Sequence, residues 1–244
     1  MRETGATLTS GPLPCYRGVP LTILFCTVDL KALPQVAQWP STGAGRTGEN
    51  TMSSTTLRVI REEHGTLAAI LRSLRMLAER GPGKEPGTFF DAMRAMLFYI
   101  DEFPERQHHP KETELLFPPI AQRAPEVAEA IARLDSEHAG GEAAVRELEH
   151  LLLAWELMGE SRRATFVEAL DRYITFYLEH MRLEETVILP AALKHLSPED
   201  WAAMDAAFAS NTDLLATGIR PDPAYERLFS RIVHSAPPPL GMGR

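Results

Sequence analysis

The stretch YLEHMRLEETVILP, residues 177–190, has the apolar spacing of a buried helix face but places a histidine and a glutamate on that face. His180 and Glu184 are four residues apart, so on a helix their side chains point the same way, one turn apart. A carboxylate on an apolar face is costly unless a cation or a proton donor compensates its charge. The stretch therefore predicts a helical core that contains a polar site.

Four long segments of the chain share this helical spacing. Their apolar residues follow one another at steps of three and four, which is typical of the inward faces of bundled helices. The predicted helices run over Ser54–Glu79, from near Gly87 to Pro118–Pro119, over Pro125–Leu157 and over Arg162–Leu189. Short connections favour antiparallel neighbours, so we predict an all-α fold with an up-down-up-down four-helix bundle.

Prolines and glycines give further boundaries. The sequence GPG at 81–83 should end the first helix. Pro104 and Pro110 should bend the second helix. A short C-terminal helical extension should begin at SPEDW, where Ser197 can cap a helix and Pro198 suits its first turn.

The chain divides into three regions by composition. Residues 1–51 are broken by proline and glycine and have no sustained period, which indicates a disordered or mis-called extension before a natural start at Met52. Residues 52–192 carry the helical pattern of the bundle, and residues 193–244 form the extension and tail.

Charge and composition exclude several classes of protein. The net charge is −8, and no basic stripe lies on a predicted helix, so we expect no nucleic-acid partner. The apolar runs are too short to cross a bilayer, so no membrane association is expected. The two cysteines, Cys15 and Cys26, lie outside the helical region and support neither a disulfide framework nor a thiolate zinc site. A cytoplasmic location is expected.

Histidines interrupt all four predicted inward faces. A lone histidine on such a face is more often a hydrogen-bonded core residue than a ligand. At a rise of about 1.5 Å per residue, however, the four positions fall at similar depths of an antiparallel bundle. Two of the histidines have a glutamate one turn away. The converging residues are His64, His108 with Glu112, His138, and His180 with Glu184.

This ligand set indicates a metal site in the bundle. Imidazole and carboxylate without thiolate suit iron, manganese or zinc. Four histidines and two glutamates are too many for one tetrahedral zinc. They divide naturally over two ions, with two imidazoles on each ion and both glutamates bridging. Positions then stay open for an oxo or hydroxo bridge and a small diatomic ligand, and a redox role favours iron.

The segments HHPKETELLFP and EHMRLEETVILP, together with His64, resemble the hemerythrin-like proteins of the HHE cation-binding class over about residues 54–190. The ending, SPEDW followed by LFSRIVHSAPPPLGMG, resembles bacterial members of that class. The resemblance implies a non-haem di-iron site in which the four histidines ligate iron and the two glutamates bridge. Oxygen-carrying hemerythrins have a further histidine four residues after the one on the third helix, where this chain has Glu142.

Some neighbouring residues have two interpretations. His109 is an alternative to His108, although the match between the two His-x-x-x-Glu pairs favours His108. Glu142 is either an extra ligand or, more simply, a surface carboxylate. Several other glutamates are either solvated or orient the imidazoles: Glu62, Glu63, Glu137, Glu179 and Glu185. The remaining histidines have no partner pattern and should lie on the surface: His150, His195 and His234.

Three functions fit the sequence. The first is a di-iron protein that binds or responds to O2, NO or iron. The second is a di-iron enzyme of nitrosative or oxidative stress defence, which reduces NO or peroxide or repairs iron-sulfur clusters. The cluster-repair proteins, which have a similar ligand set, usually carry a cysteine-bearing N-terminal domain that residues 1–51 do not match. An electron donor or an iron-sulfur protein is an expected partner in either case. The third is a structural or partner-binding bundle.

Overall fold

A computed structural model of the chain describes residues 54–210, 225–237 and 240–242. The regular structure within these ranges is helical, without a strand, which confirms the all-α class. The prediction of a disordered or mis-called segment over residues 1–51 lies outside the described residues. No helix in the described ranges is both long enough and apolar enough to cross a membrane.

Each long segment predicted from the sequence is a helix, and two of them are interrupted by π-helical turns. The α-helices are α1 Thr55–Arg80, α2 Pro86–Ile100, α3 His109–Lys111, α4 Phe117–Arg123, α5 Ala128–Met158, α6 Arg163–Leu183, α7 Leu189–His195, α8 Pro198–Phe208 and α9 Glu226–Ser235. The π-helical segments are Asp101–His108, Glu112–Leu116 and Glu184–Ile188.

The inward faces predicted from the apolar spacing are buried. The steps of three and four predict ten inward positions in the first two helices, and all ten are buried: Leu57, Ile60, His64, Leu67, Leu71, Leu74, Phe90, Met93, Leu97 and Ile100. The same steps run from Val127 to Leu152 in the third helix and from Phe166 to Val187 in the fourth, and along them only His138 and Val187 are partly buried. Helix α1 contacts α2 and α6, and α5 contacts α2 and α6. These contacts are compatible with a four-helix bundle.

Prolines did not end the helices where the sequence analysis expected them to. The second predicted helix continues past Pro118 to Arg123, and the fourth continues past Leu189 to His195. A proline has no N–H and clashes with the carbonyl four residues earlier. Here the turn before each proline is π-helical, with the Phe117 N–H bonded to the Glu112 carbonyl and the Leu189 N–H to the Glu184 carbonyl. The wider turn accommodates Pro118 and Pro190 without breaking the helix.

Two apolar clusters lie along the bundle. One contains Leu67 of α1 and Tyr177 of α6, and the other contains Ile60 of α1 and Ile188 beyond α6. Within α1 only residues 61–66 separate the two clusters, and they include His64. The hydrophobic core is therefore divided by a polar layer, which is where the sequence placed the histidines and glutamates.

The C-terminal helices cover parts of both clusters. Helix α8 begins as predicted, with a capping box in which the Ser197 side chain accepts from the Asp200 N–H and the Asp200 carboxylate accepts from the Ser197 N–H. Helix α9 packs against α2 and buries Phe229 and Ile232 in the cluster that contains Leu67. The C-terminal segment thus contributes to the core.

Asp205 of α8 binds the start of α1. One of its carboxylate oxygens accepts hydrogen bonds from the Ser54 hydroxyl at 2.6 Å, the Thr56 N–H at 2.8 Å and the Thr56 hydroxyl at 2.7 Å. The first N–H groups of a helix have no partner within the helix, so this carboxylate acts as a cap supplied by another helix. It fixes α8 against α1.

We expect Asp205→Ala to lower the free energy of unfolding by about 2 kcal/mol, because hydrogen bonds to a charged group are lost at a helix start. Urea unfolding at equal metal content measures the change. Asp205→Asn, which keeps one acceptor oxygen, should lose less. An unchanged urea midpoint for Asp205→Ala would contradict a capping role.

Candidate metal centre

The polar layer contains all six residues that the sequence singled out as ligands. Five of them are buried: His64, His108, Glu112, His180 and Glu184. The side chain of His138 is 7% exposed. These side chains come from α1, α5, α6 and the π-helical segments, so four parts of the chain that are distant in sequence supply one site.

Each of the two glutamates contacts two different histidines, one through each carboxylate oxygen. Glu184 places one oxygen 3.1 Å from His64 Nε2 and the other 3.1 Å from His180 Nε2. Glu112 places one oxygen 3.2 Å from His108 Nε2 and the other 3.7 Å from His138 Nε2. The two oxygens of each carboxylate therefore address different imidazoles, which is the arrangement that a bridging carboxylate requires.

The four carboxylate oxygens have no hydrogen-bond partner, although imidazole nitrogens lie close to them. Both oxygens of Glu112 and both of Glu184 are buried without a hydrogen bond of acceptable geometry. Buried carboxylates are normally paired or bound to a cation, because an unpaired one costs several kcal/mol. The donor set therefore fits a bound cation.

The predicted ligand histidines are held by their other ring nitrogen. In each case Nδ1 lies 2.6–3.0 Å from an oxygen of a neighbouring side chain. Where that oxygen belongs to a carboxylate, it accepts from Nδ1–H, which leaves Nε2 as the nitrogen that a metal ion would bind. The pairs are His64 with Glu185, His108 with Glu63, His138 with Thr113, and His180 with Glu137.

Both His108 and His109, the two alternatives for this position, are buried at the site. His109 is 5% exposed, and its Nδ1 lies 3.1 Å from Glu105 Oε2. Its ring stacks on that of His138, with centroids 4.2 Å apart. Ligand atoms lie within 4.8 Å of one another in three groups: His109, His138 and His180; His64, His108 and Glu112; and Glu112, His138 and Glu184.

The imidazoles divide unequally around the carboxylates. His109, His138 and His180 form one group, and His64 and His108 belong to another. The prediction of two imidazoles on each ion did not include His109, because the match between the two His-x-x-x-Glu pairs favoured His108.

Burial and charge shift the pKa values in the layer. Burial by itself lowers the pKa of His64, but its contacts with Glu184 and Glu185 outweigh burial and raise it to about 9. Burial disfavours the charged form of Glu184, yet the imidazoles of His138, His180 and His64 hold the pKa of Glu184 well below its usual range. The carboxylates thus require positive charge nearby, which a metal cation would supply.

His109 differs from these histidines. Burial and the neighbouring His138, His108 and His180 lower its pKa well below the usual value. Burial chiefly raises the pKa of Glu105 to about 8. Burial and the neighbouring histidines thus favour the neutral form of His109.

The neighbouring glutamates separate into two groups. Glu63, Glu137 and Glu185 bind the imidazoles, as the sequence analysis allowed. The others form ion pairs at the surface: Glu62 with Arg58, Glu142 with Arg146, and Glu179 with Arg182. His150 and His234 are exposed, as predicted, whereas His195 is partly buried and lies 3.4 Å from Glu126.

Two residues that orient histidines were not found from the sequence. Glu105 lies four residues before His109, and this spacing was a usable signal because i,i+4 pairs meet on a helix. Thr113 accepts from His138 Nδ1 and donates to Asp135, and only the packing of two segments distant in sequence brings these groups together.

A narrow cavity adjoins the layer, and His64, His108, His109 and His180 all line it. It has room of about 10 Å³ for a water-sized molecule, close to the smallest space that holds one water. Apolar side chains form much of its wall, including Leu67 and Met181, and Tyr177 lies beside them. Only a small ligand would fit without movement of these side chains.

Comparison with known proteins agrees with this geometry. The family model described as the hemerythrin HHE cation-binding domain matches residues 55–192, which is more than half of the chain. No curated protein matches the chain. The matched residues include the whole polar layer.

We expect Glu63→Gln to weaken the binding of added Fe²⁺ or Co²⁺ roughly 10- to 100-fold, because the amide would orient His108 less well than the carboxylate does. Competition with a chelator under anaerobic conditions measures the affinity. The adjacent Glu62→Gln is the control, since Glu62 pairs with Arg58 on the surface. Equal affinities for the two variants would argue against an orienting role for Glu63.

Proposed function

The chain belongs to the hemerythrin HHE cation-binding family, and from this premise we propose that it is a cytoplasmic non-haem di-iron protein that binds or responds to O2, NO or iron. The proposed ligands of the two ions are His64, His108, His138 and His180, with Glu112 and Glu184 as bridges. They would lie inside an up-down-up-down four-helix bundle. Iron supplies the redox chemistry when it is bound.

One observation carries the proposal. Glu112 and Glu184 are both fully buried, and all four of their carboxylate oxygens lack hydrogen bonds. Each carboxylate also contacts imidazoles of both groups. A single cation would not explain why the two oxygens of each glutamate point to different histidines, whereas a pair of cations would.

The types of ligand favour iron over zinc. The described residues of the layer offer imidazole nitrogens and carboxylate oxygens, without a cysteine among them. Structural zinc sites are mostly tetrahedral with four protein ligands, and this layer supplies more than one such ion can bind. Carboxylate-bridged pairs of iron or manganese are held inside helical bundles by glutamate and histidine from facing helices.

The side chains around the site would control access and orientation. Carboxylates and a hydroxyl fix the imidazole rings through Nδ1, so the ligand geometry does not depend on the bound ions alone. The cavity beside His64, His108, His109 and His180 is narrow, and Leu67 and Met181 form part of its wall. Its small size is compatible with a small uncharged ligand such as O2 or NO.

Metal analysis and optical spectra test the proposed function. Protein loaded with Fe²⁺ under anaerobic conditions should contain about two irons per chain. Its spectrum should then change on addition of O2 or NO. Stoichiometric binding without continued consumption of the gas supports a binding or sensing role, whereas sustained consumption of NO or peroxide supports an enzyme. Protein that stays colourless and retains less than about one iron after loading would refute the proposal.

We expect Glu184→Ala to lose the second ion, because Glu184 is one of the two carboxylates that contact both groups of histidines. Iron per chain after anaerobic loading, measured by atomic emission, checks this. Glu179→Ala is a matched control on the same helix, since Glu179 pairs with Arg182 at the surface. Retention of two irons in Glu184→Ala would exclude the bridging role.

A further inference from the structure

We propose that His109 is an additional metal ligand and binds the same ion as His138 and His180. This inference rests on the proposed di-iron function and makes it more specific. The two ions would then have unequal sets of imidazoles, three on one ion and two on the other. The ion near His64 and His108, which has fewer protein ligands, would be the one with positions open to a small molecule.

The position of His109 supports this role. Its ring centroid lies 4.2 Å from that of His138, with an interplanar angle of 10°, and 5.3 Å from that of His180. One ligand atom from each of these three histidines lies within 4.8 Å of the other two. The three rings come from three segments distant in sequence and converge on one point in the layer.

The orientation of His109 also matches that of the other histidines at the site. Its Nδ1 lies 3.1 Å from Glu105 Oε2, so Nε2 is the ring nitrogen left for a cation. A cation on Nε2 favours the hydrogen on Nδ1 and negative charge on Glu105. Nδ1 of the exposed His234, by contrast, contacts Ser230 of its own helix, with the carbonyl at 2.6 Å and the hydroxyl at 3.4 Å.

Gly141 makes space for the carboxylate that holds His109. Gly141 lies three residues after His138 on the buried face of α5. A Cβ atom at this position would lie 2.0 Å from Glu105 Oε2, closer than real Cβ contacts allow. A glycine is therefore needed for Glu105 to lie between α5 and His109.

The residues one helical turn after His138, Gly141 and Glu142, do not supply a second ligand from α5. The side chain of Glu142, four residues after His138, is 48% exposed and pairs with Arg146. The space inward of Gly141 is filled by Glu105. His109 thus supplies from the second long helix the imidazole that α5 does not provide.

The variant His109→Gln tests the proposal in the full-length protein. We expect one of the two Fe²⁺ or Co²⁺ ions to bind at least about tenfold more weakly, with the helical content unchanged by circular dichroism. Glu105→Gln should show a smaller loss at the same ion. His150→Gln is the control, because His150 is exposed on α5. Two ions bound with wild-type affinities by His109→Gln would show that His109 is only a structural histidine.

A crystal structure of the iron-loaded wild-type protein tests the same point without a variant, in case His109→Gln does not fold. His109 Nε2 within bonding distance of the ion held by His138 and His180 would establish the ligand. A His109 ring out of reach of both ions would overturn the proposal. Wild-type protein that binds no iron would instead refute the di-iron function itself, so the two failures are distinguishable.

Discussion

Two buried carboxylates set the requirements that the rest of this structure meets. Glu112 and Glu184 lie in the core without hydrogen bonds to their oxygens, and their charge must be compensated there. The surrounding imidazoles and a bound metal pair would provide that compensation. The cost of burying charge explains why the polar residues form one layer, because dispersed carboxylates would each need a separate partner. The apolar clusters on either side then exclude water from the layer.

The π-helical turns are related to the same requirement. Glu112 and Glu184 each begin such a turn, and each turn is followed by a proline that an α-helix interior does not tolerate. π-turns are uncommon and occur often at functional sites. In each turn the residue four positions after the glutamate, Leu116 or Ile188, is buried as well. The irregular turns, which cost free energy, thus occur where the two buried glutamates lie.

Carboxylate oxygens around the layer orient histidines through Nδ1. Glu63 and Glu185 hold His108 and His64, whereas Glu105 and Glu137 hold His109 and His180. These carboxylates orient imidazoles before a metal binds, which reduces the reorganisation that binding requires.

The sequence by itself determined the all-α class, the inward faces of the helices and a polar layer around His64, His138 and the two His-x-x-x-Glu pairs. Helical periodicity and the cost of burying charge are local properties, so they can be deduced from spacing alone. The tertiary structure decided that both His108 and His109 face the layer, that Glu105 and Thr113 orient histidines, and that the helices continue past Pro118 and Pro190. These features depend on contacts between distant segments and on the register of π-helical turns. Adjacent residues of a regular α-helix point about 100° apart, so periodicity favoured one histidine of the pair, whereas both side chains are buried at the layer.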